Sequence, residues 1–427
     1  MNEYDTEKML GVLKSCDYHP TDNFLEADLI LLNTCSIREK VEQKVYSTLG
    51  RLKRLKEKNP SLIIGVGGCM AQQEAEKLLQ KVPYINMVFG TQSITRLSEL
   101  VKAVEEKRNK VVDTSLNGFH SLSLIPRLPQ RVKAYVSIMQ GCNNYCAYCV
   151  VPYVRGKERS RCKEEILQEI SFLAESGVKE VTLLGQNVNS YGKDLNERDD
   201  FSSLLSLINE VNGIERIRFI TSHPKDLSPQ LIHCFKELKK LCEHIHLPVQ
   251  SGSSLVLKRM DRHYTQEEYL DKINKLRGVS PEIGITSDVI VGFPGETEEE
   301  FEETLSLLEK VEFDDLFSFK YSDRPQVKAS TLPDKVDEKI KAERLWHLQN
   351  FQKKYTLMKN KRREGKEEEV LVEGVSKRDP KKLTGRTRSN KVVNFEGKIE
   401  LQGSLVLVSI KRAFLHSLEG ELIDPLH

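Results

Sequence analysis

Long apolar runs are missing from this sequence. Across its 427 residues none approaches the roughly 18 apolar residues that a membrane-spanning helix needs, and the chain is polar from Asn2 onward, without a signal-peptide core. Membrane-embedded classes are excluded on that basis, and a cytoplasmic protein is expected. Charge of one sign is missing too. With 65 Lys and Arg against 63 Asp and Glu, the net charge is +2, so any nucleic-acid surface must be a local patch and not a field over the whole molecule. Tryptophan occurs once, at Trp346. Cysteine is scarce and odd in number, nine residues mostly far apart, which argues against a disulfide scaffold and for thiolate ligands and free thiols in a reducing compartment. Apolar residues make up 39% of the chain, ample at this length for two or three domains.

The exception to the scattering is Cys142-Asn-Asn-Tyr-Cys146-Ala-Tyr-Cys149, which follows the strand-like run Ala134–Gln140. Three soft ligands in so short a loop call for a metal. Zinc would want four protein ligands in paired spacing, with Cys162 as the available fourth, whereas a four-iron cluster held by three cysteines keeps one iron open. Close behind comes Arg155-Gly-Lys-Glu-Arg159-Ser-Arg161, whose guanidinium groups suit a carboxylate or phosphate; a solvated basic loop is the plainer alternative. His223 and His246 read as hydrogen-bonded structural histidines, and Cys16, Cys162, Cys234 and Cys242 as ordinary thiols.

In chain order, Glu3 to Leu13 predicts a helix, and Ala27–Leu32 a buried parallel-type strand ending in Asn33-Thr-Cys35. A charged helix follows, from about Arg38 to Lys58. The unit then repeats, with strand Ser61–Val66, tip Gly67-Gly-Cys69 and helix Ala71–Lys81. Ligands of parallel α/β sheets sit beyond the carboxyl ends of the strands, where Cys35 and Cys69 both fall; small packing residues are the alternative reading of these two. Residues 108–130 lose periodicity and read as a linker between a first domain, 1–107, and a central one, 131–360. There, strands at Ala134–Gln140, Glu180–Leu184, Arg216–Thr221, His244–Val249, Thr286–Val291 and Leu316–Tyr321 alternate with helices, the pattern of an open (β/α)6-type barrel. Its unusual motifs fall at strand carboxyl ends, where barrel enzymes carry their chemistry: the cysteine loop, Gly185-Gln186-Asn187, Ser222-His-Pro224, Pro248-Val-Gln250-Ser-Gly252 and Gly292-Phe-Pro-Gly-Glu296.

A charged helix past Pro333 carries Trp346, expected to pack on the barrel. Residues 361–427 then change to short β runs, Glu369–Glu373, Leu383–Thr387, Val392–Phe395 and Ser404–Ile410, the pattern of a small β-barrel. Lys377, Arg378, Lys381, Lys382, Arg386, Arg388 and Lys391 make it basic, as an RNA clamp or as a solvated face.

These stretches together resemble the methylthiotransferases of the radical S-adenosylmethionine (SAM) superfamily, nearest to their tRNA 2-methylthioadenosine synthase branch. The likeness runs over nearly the whole chain. It rests on Met1-Asn-Glu-Tyr-Asp5, Asn33-Thr-Cys35, Gly68-Cys69-Met-Ala71, the cysteine loop with Pro152-Tyr-Val-Arg155-Gly, Leu184–Asn189, Thr221-Ser-His-Pro224, Leu247–Gly252 and Val291–Gly295. The last module resembles the family's TRAM domain, while Arg324-Pro-Gln-Val-Lys328 departs from the family pattern.

The resemblance implies a [4Fe-4S] cluster on Cys142, Cys146 and Cys149, with Tyr148, Arg155, Gly185, Gln186, Asn187 and Gln250 around SAM. It further implies a second cluster on Cys35 and Cys69, an electron donor protein, a sulfur donor, and methylthiolation of an N6-isopentenyladenosine beside a tRNA anticodon. Relatives of this type place a third cysteine two residues before the Met-Asn that is Met1-Asn2 here, so this chain is expected to lack the first strand and one ligand of the second cluster. Two rivals remain. One is the same chemistry on threonylcarbamoyl-adenosine in tRNA or on a ribosomal-protein aspartate; the other is a non-catalytic, zinc-containing RNA-binding protein.

Overall fold

A computed structural model describes residues 1–35, 39–107, 110–116, 132–195 and 199–425. The helix Asn2–Lys14 leads into a parallel sheet of β1 (Leu29–Thr34), β2 (Ile63–Gly68), β3 (Met87–Phe89) and β4 (Val111–Asp113), in that spatial order. Apolar cores cover both faces. One packs Ile30, Ile64, Val66 and Val88 against Leu49 and Leu52; the other packs Ile63, Met87 and Phe89 against Met9, Leu13 and Leu97. Burial on both sides is why these strands read as unbroken apolar runs.

The structure corrects several expectations here. β1 and β2 each run two residues past the expected ends, to Thr34 and Gly68, which puts Cys35 and Cys69 directly after paired residues of neighbouring strands. The expected helix Ala71–Lys81 is two short helices, Cys69–Glu74 and Glu76–Lys81, broken at Ala75 with φ +44°. Of the expected linker 108–130, residues 108–109 and 117–130 lie outside the described residues, while Val111–Asp113 is β4, paired with β3. Three-residue strands are too short to show a period.

The central unit continues with β5 (Lys133–Ser137), the short antiparallel pair β6 (Met139–Gln140) and β7 (Arg159–Ser160), and then β8 (Glu180–Leu184), β9 (Arg216–Phe219), β10 (His244–His246), β11 (Gly284–Val291) and β12 (Asp315–Lys320). β5-β8-β9 and β10-β11-β12 are parallel sheets joined by a bridge between Ile217 and Leu241, which makes an open barrel. The expected strand Ala134–Gln140 breaks at Ile138, because Met139 and Gln140 turn away to pair with β7. Ala134, Val136, Val181, Leu183, Ile217 and Phe219 face outward onto the helices, so their alternates point into the barrel.

After the helix Glu338–Lys361 come β13 (Glu367–Val375), β14 (Lys382–Thr387), β15 (Val392–Glu396), β16 (Leu405–Ala413) and β17 (Leu418–Pro425), closed in the order β13-β14-β15-β17-β16. The closing strand β17 is not among the four expected runs, since Glu419, Glu421 and Asp424 dilute its apolar positions. Trp346 is 69% exposed and does not pack on the barrel, a correction with a simple cause: Lys341, Arg344, Leu348, Gln352 and Thr356 form the buried face of that helix.

The small barrel forms the floor of the large one. Arg216, 0% exposed, donates to Glu369 Oε1 (2.7 Å) and to the Arg386 carbonyl (2.7 Å). Arg218 donates to the carbonyls of Thr387 (2.7 Å) and Arg388 (2.8 Å). In return Arg388 pairs with Glu243 (2.7 Å) and Lys391 with Asp314 (2.9 Å). These central partners lie at or just before the amino ends of β9, β10 and β12, opposite the cysteine loop.

Candidate active site

The pairing of β6 with β7 pinches residues 141–158 into a loop, and backbone bonds fix its course. Cys142 N donates to the Gly156 carbonyl (3.2 Å), Ala147 N to Met260 O (2.9 Å), and Cys149 N to Cys146 O (2.9 Å). Gly141 has φ +76°, and a β-carbon there would sit 2.0 Å from Lys157 O, so only glycine allows this entry. Gln186 Oε1 accepts from Gly141 N (2.5 Å), and a β-carbon on Gly185 would lie 2.5 Å from Met139 Cγ. The Gly185-Gln186 turn therefore supports the cysteine loop from beneath.

Burial pushes the Cys142 thiol up to about 11 and the Cys149 thiol up to about 12. Thiols so placed ionise only when a positive centre binds them. Part of that charge is built in. Arg262, which the sequence reading passed over, directs Nη1 to Cys146 Sγ (3.4 Å) and to the Tyr148 hydroxyl (3.3 Å). Its other nitrogens donate to Pro248 O (2.8 Å) and Tyr264 Oη (3.0 Å). Nothing in sequence spacing marks this arginine; only the return of the chain under the loop brings it there. His223 Nδ1 accepts from Lys225 N (3.2 Å), which leaves its proton on Nε2, 3.9 Å from Cys146 Sγ. Burial and the neighbouring Arg262 lower its basicity, so the ring stays neutral.

The residues present fit a multi-iron cluster better than a single ion. Cys162, the fourth ligand a zinc site would need, is exposed at the start of the helix Lys163–Glu175. Near His223, buried polar atoms lack partners among the described residues: Asn187 Oδ1, Asn189 Oδ1 and Ser222 Oγ. Asn187 is held by a bond from its Nδ2 to Asp226 Oδ2 (2.7 Å). Unpaired buried acceptors ask for a ligand with donors, such as an ammonium group. Gln250 holds φ +73° and bridges to β11 through its backbone, N to Asp288 O (2.8 Å).

Cys35 and Cys69 are brought together by the register Thr34 to Gly68, where Gly68 has φ +95° and a β-carbon would sit 2.3 Å from Thr34 O. Cys69 packs in one apolar cluster with Val150 and Val154, the residues that follow Cys149. The two cysteine groups thus share a wall. Arg155 closes that wall: it is 3% exposed and ion-paired with Asp5 through Nη2 (2.7 Å), lies close enough to Cys69 to feel its charge, and keeps a buried Nη1 without a hydrogen-bond partner among the described residues. The basic set divides in the same manner. Lys377, Arg378 and Lys381 are exposed, while Lys382 pairs with Glu419 and Arg386 with Glu373 (3.2 Å). Arg388 and Lys391 turn into the floor contacts above, where they pair with Glu243 and Asp314.

Matches to known proteins agree with this arrangement. Residues 136–308 match the radical SAM superfamily, 1–90 the uncharacterized protein family UPF0004, and 361–423 the TRAM domain. Among solved structures, the radical SAM methyltransferase TsrM of Kitasatospora setae superposes with TM-score 0.58 at 14% identity, over 76% of this chain and 73% of that one, a likeness of fold. Fold and site define a radical SAM enzyme. Curated relatives are much closer: the tRNA-2-methylthio-N(6)-dimethylallyladenosine synthase of Syntrophus aciditrophicus is 53% identical over 99% of this chain and 92% of its own length. The enzyme of that name from Clostridium perfringens is 50% identical over 99% and 96%. The chain belongs to the family of tRNA-2-methylthio-N(6)-dimethylallyladenosine synthases. No described helix is long and apolar enough to cross a membrane.

Proposed function

We propose that the chain carries out the reaction its relatives are named for, adding a methylthio group at C2 of an N6-isopentenyladenosine beside the anticodon of a tRNA. Cys142, Cys146 and Cys149 would hold a [4Fe-4S] cluster, and the unpaired acceptors of Asn187, Asn189 and Ser222 would receive SAM. When bound, cluster and SAM supply a one-electron cleavage that yields a radical able to attack an unactivated aromatic C–H. Arg262 and the Nε2–H of His223 offset charge at Cys146, and the Gly185-Gln186 turn holds the loop in place. Cys35 and Cys69 would serve a second cluster associated with sulfur supply.

The observation that carries the reading is the shared wall, where Cys69 packs on the segment that follows Cys149. A reaction that joins a sulfur source to a radical site needs the two adjacent. A reductant and a sulfur donor from outside the chain complete the requirements. Nucleoside analysis of tRNA from a deletion strain, with and without this chain restored, tests the proposal. Accumulation of N6-isopentenyladenosine and its disappearance on restoration are expected; an unchanged nucleoside pattern rejects the substrate.

A further inference from the structure

On the inner face of β10, β11 and β12 the strand registers line up side chains that the site described so far does not use. His246 stands beside Thr286, and Asp288 beside Phe317. His246 Nδ1 lies 3.0 Å from Thr286 Oγ1, and its Nε2 lies 3.5 Å from Asp288 Oδ2. With the threonine hydroxyl donating to Nδ1, His246 carries its proton on Nε2 and stands beside the carboxylate without a hydrogen bond to it. Asp288 Oδ1 has no hydrogen-bond partner among the described residues, and the Asp288 side chain is 27% exposed inside a barrel wall, so it opens onto free space in the lumen. Phe317 is 51% exposed and sets its ring edge to face with His246, centroids 6.0 Å apart.

Toward the mouth, Ile290 and Phe319 are the next inward pair on the same two strands. Ile290 packs in the apolar cluster that holds Ala147 and Tyr148 of the cysteine loop. From the mouth downward the wall thus reads cysteine loop, apolar collar, then one carboxylate beside an aromatic ring. Charge recognition alone would not need the collar, and a purely apolar ligand would leave the carboxylate unpaired.

We propose that Asp288, with Phe317 and the Ile290–Phe319 collar, is the subsite for a mono-alkylated N6-amino group of adenine. The carboxylate accepts the one remaining N6–H, the alkyl group lies in the collar, and the ring of Phe317 lies against the base. This rests on the function proposed above and names the groups that would select the already alkylated adenosine.

Equilibrium binding of anticodon stem-loop RNAs to the full chain tests it, using three probes: N6-isopentenyladenosine, its N6-methylated derivative that lacks the N6–H, and unmodified adenosine. The wild type should bind the first about tenfold more tightly than the second, the scale of one charge-assisted hydrogen bond. Asp288→Ala, which removes the acceptor, should compress that ratio toward one, and Phe317→Leu should weaken the first and third probes together. A wild type indifferent to the N6–H, or an Asp288→Ala variant that keeps the full ratio, overturns the subsite. Methylthio product from the wild type is read separately. Discrimination without product rejects the proposed reaction and leaves the subsite standing; product without discrimination rejects the subsite alone.

Discussion

Asp5 in the first helix and Arg155, six residues beyond Cys149, form an ion pair of 2.7 Å that is buried on both sides. Burial works against the arginine's charge, but Asp5 and Cys69 outweigh it and keep the guanidinium protonated. Removing one member strands the other charge in the interior, at a typical cost of about 3–5 kcal/mol. Asp5→Asn or Arg155→Met should destabilise the protein on that scale in equilibrium unfolding. The exchanged pair, Asp5→Arg with Arg155→Asp, should recover part of the loss, because it keeps the charges matched but not the packing around the native pair.

Alanine at Cys142, Cys146 or Cys149 should bring reductive SAM cleavage down to background, since each removes a thiolate from a set with no spare. Wild-type amounts of 5′-deoxyadenosine from any one of them would reject the ligand set.

Arg262→Met should leave iron content intact and move the cluster's reduction potential downward. A positive charge 3.4 Å from Cys146 Sγ favours the reduced, more negative state. Its loss should lower the potential by roughly 60 mV, the one-electron equivalent of a tenfold change. Potentiometric titration reads this directly, and an unmoved potential would reduce Arg262 to a packing role.

The basic residues of the small barrel should separate by assay. Neutralising the exposed Lys377, Arg378 and Lys381 should flatten the salt dependence of tRNA binding, by about 0.7–0.9 log units per lost phosphate contact, with unfolding unaffected. Arg388→Met and Lys391→Met should instead loosen the small barrel from the floor of the large one, seen as earlier proteolysis, because Glu243 loses its arginine and Asp314 keeps only Lys359, which belongs to the long helix and not to the small barrel.

Asp314 gives docking a pH dependence. Burial disfavours its ionisation, yet Lys391 and Lys359 prevail and hold its carboxyl down at about 2. An aspartate in an unfolded chain titrates near 3.9. The folded value is the lower one, so the stabilisation is complete above about pH 4 and is lost as pH falls toward 2. Across that interval the stability difference between wild type and Asp314→Asn should shrink by roughly 2 kcal/mol.

Much of this was legible in the sequence for identifiable reasons. Parallel strands buried on both faces announce themselves as apolar runs, and the cysteine spacing is local, so β2, β8 and the loop from Cys142 to Cys149 could be read directly. Short strands could not, as β3 and β4 illustrate with three residues each. The arginines were the least legible part. Arg155, Arg262 and Arg388 carry the same charge in sequence, and only the fold decides that the first meets Asp5, the second a cysteine sulfur and the third Glu243. Trp346 failed for the opposite reason: a large apolar side chain suggests burial, but its position on the helix faces away from the barrel.

β11 runs the full depth of the large barrel. A β-carbon on Gly284 at one end would lie 2.8 Å from Ser389 O of the small barrel, and Val291 at the other opens into the Gly292–Gly295 turn at the mouth. Eight residues at about 3.3 Å each put roughly 23 Å between first and last Cα. The strand therefore works as a caliper. An RNA held at the small barrel and reaching the cysteine mouth would have to bridge that span, and one that reaches only Asp288, the fifth residue of the strand, a little over half of it.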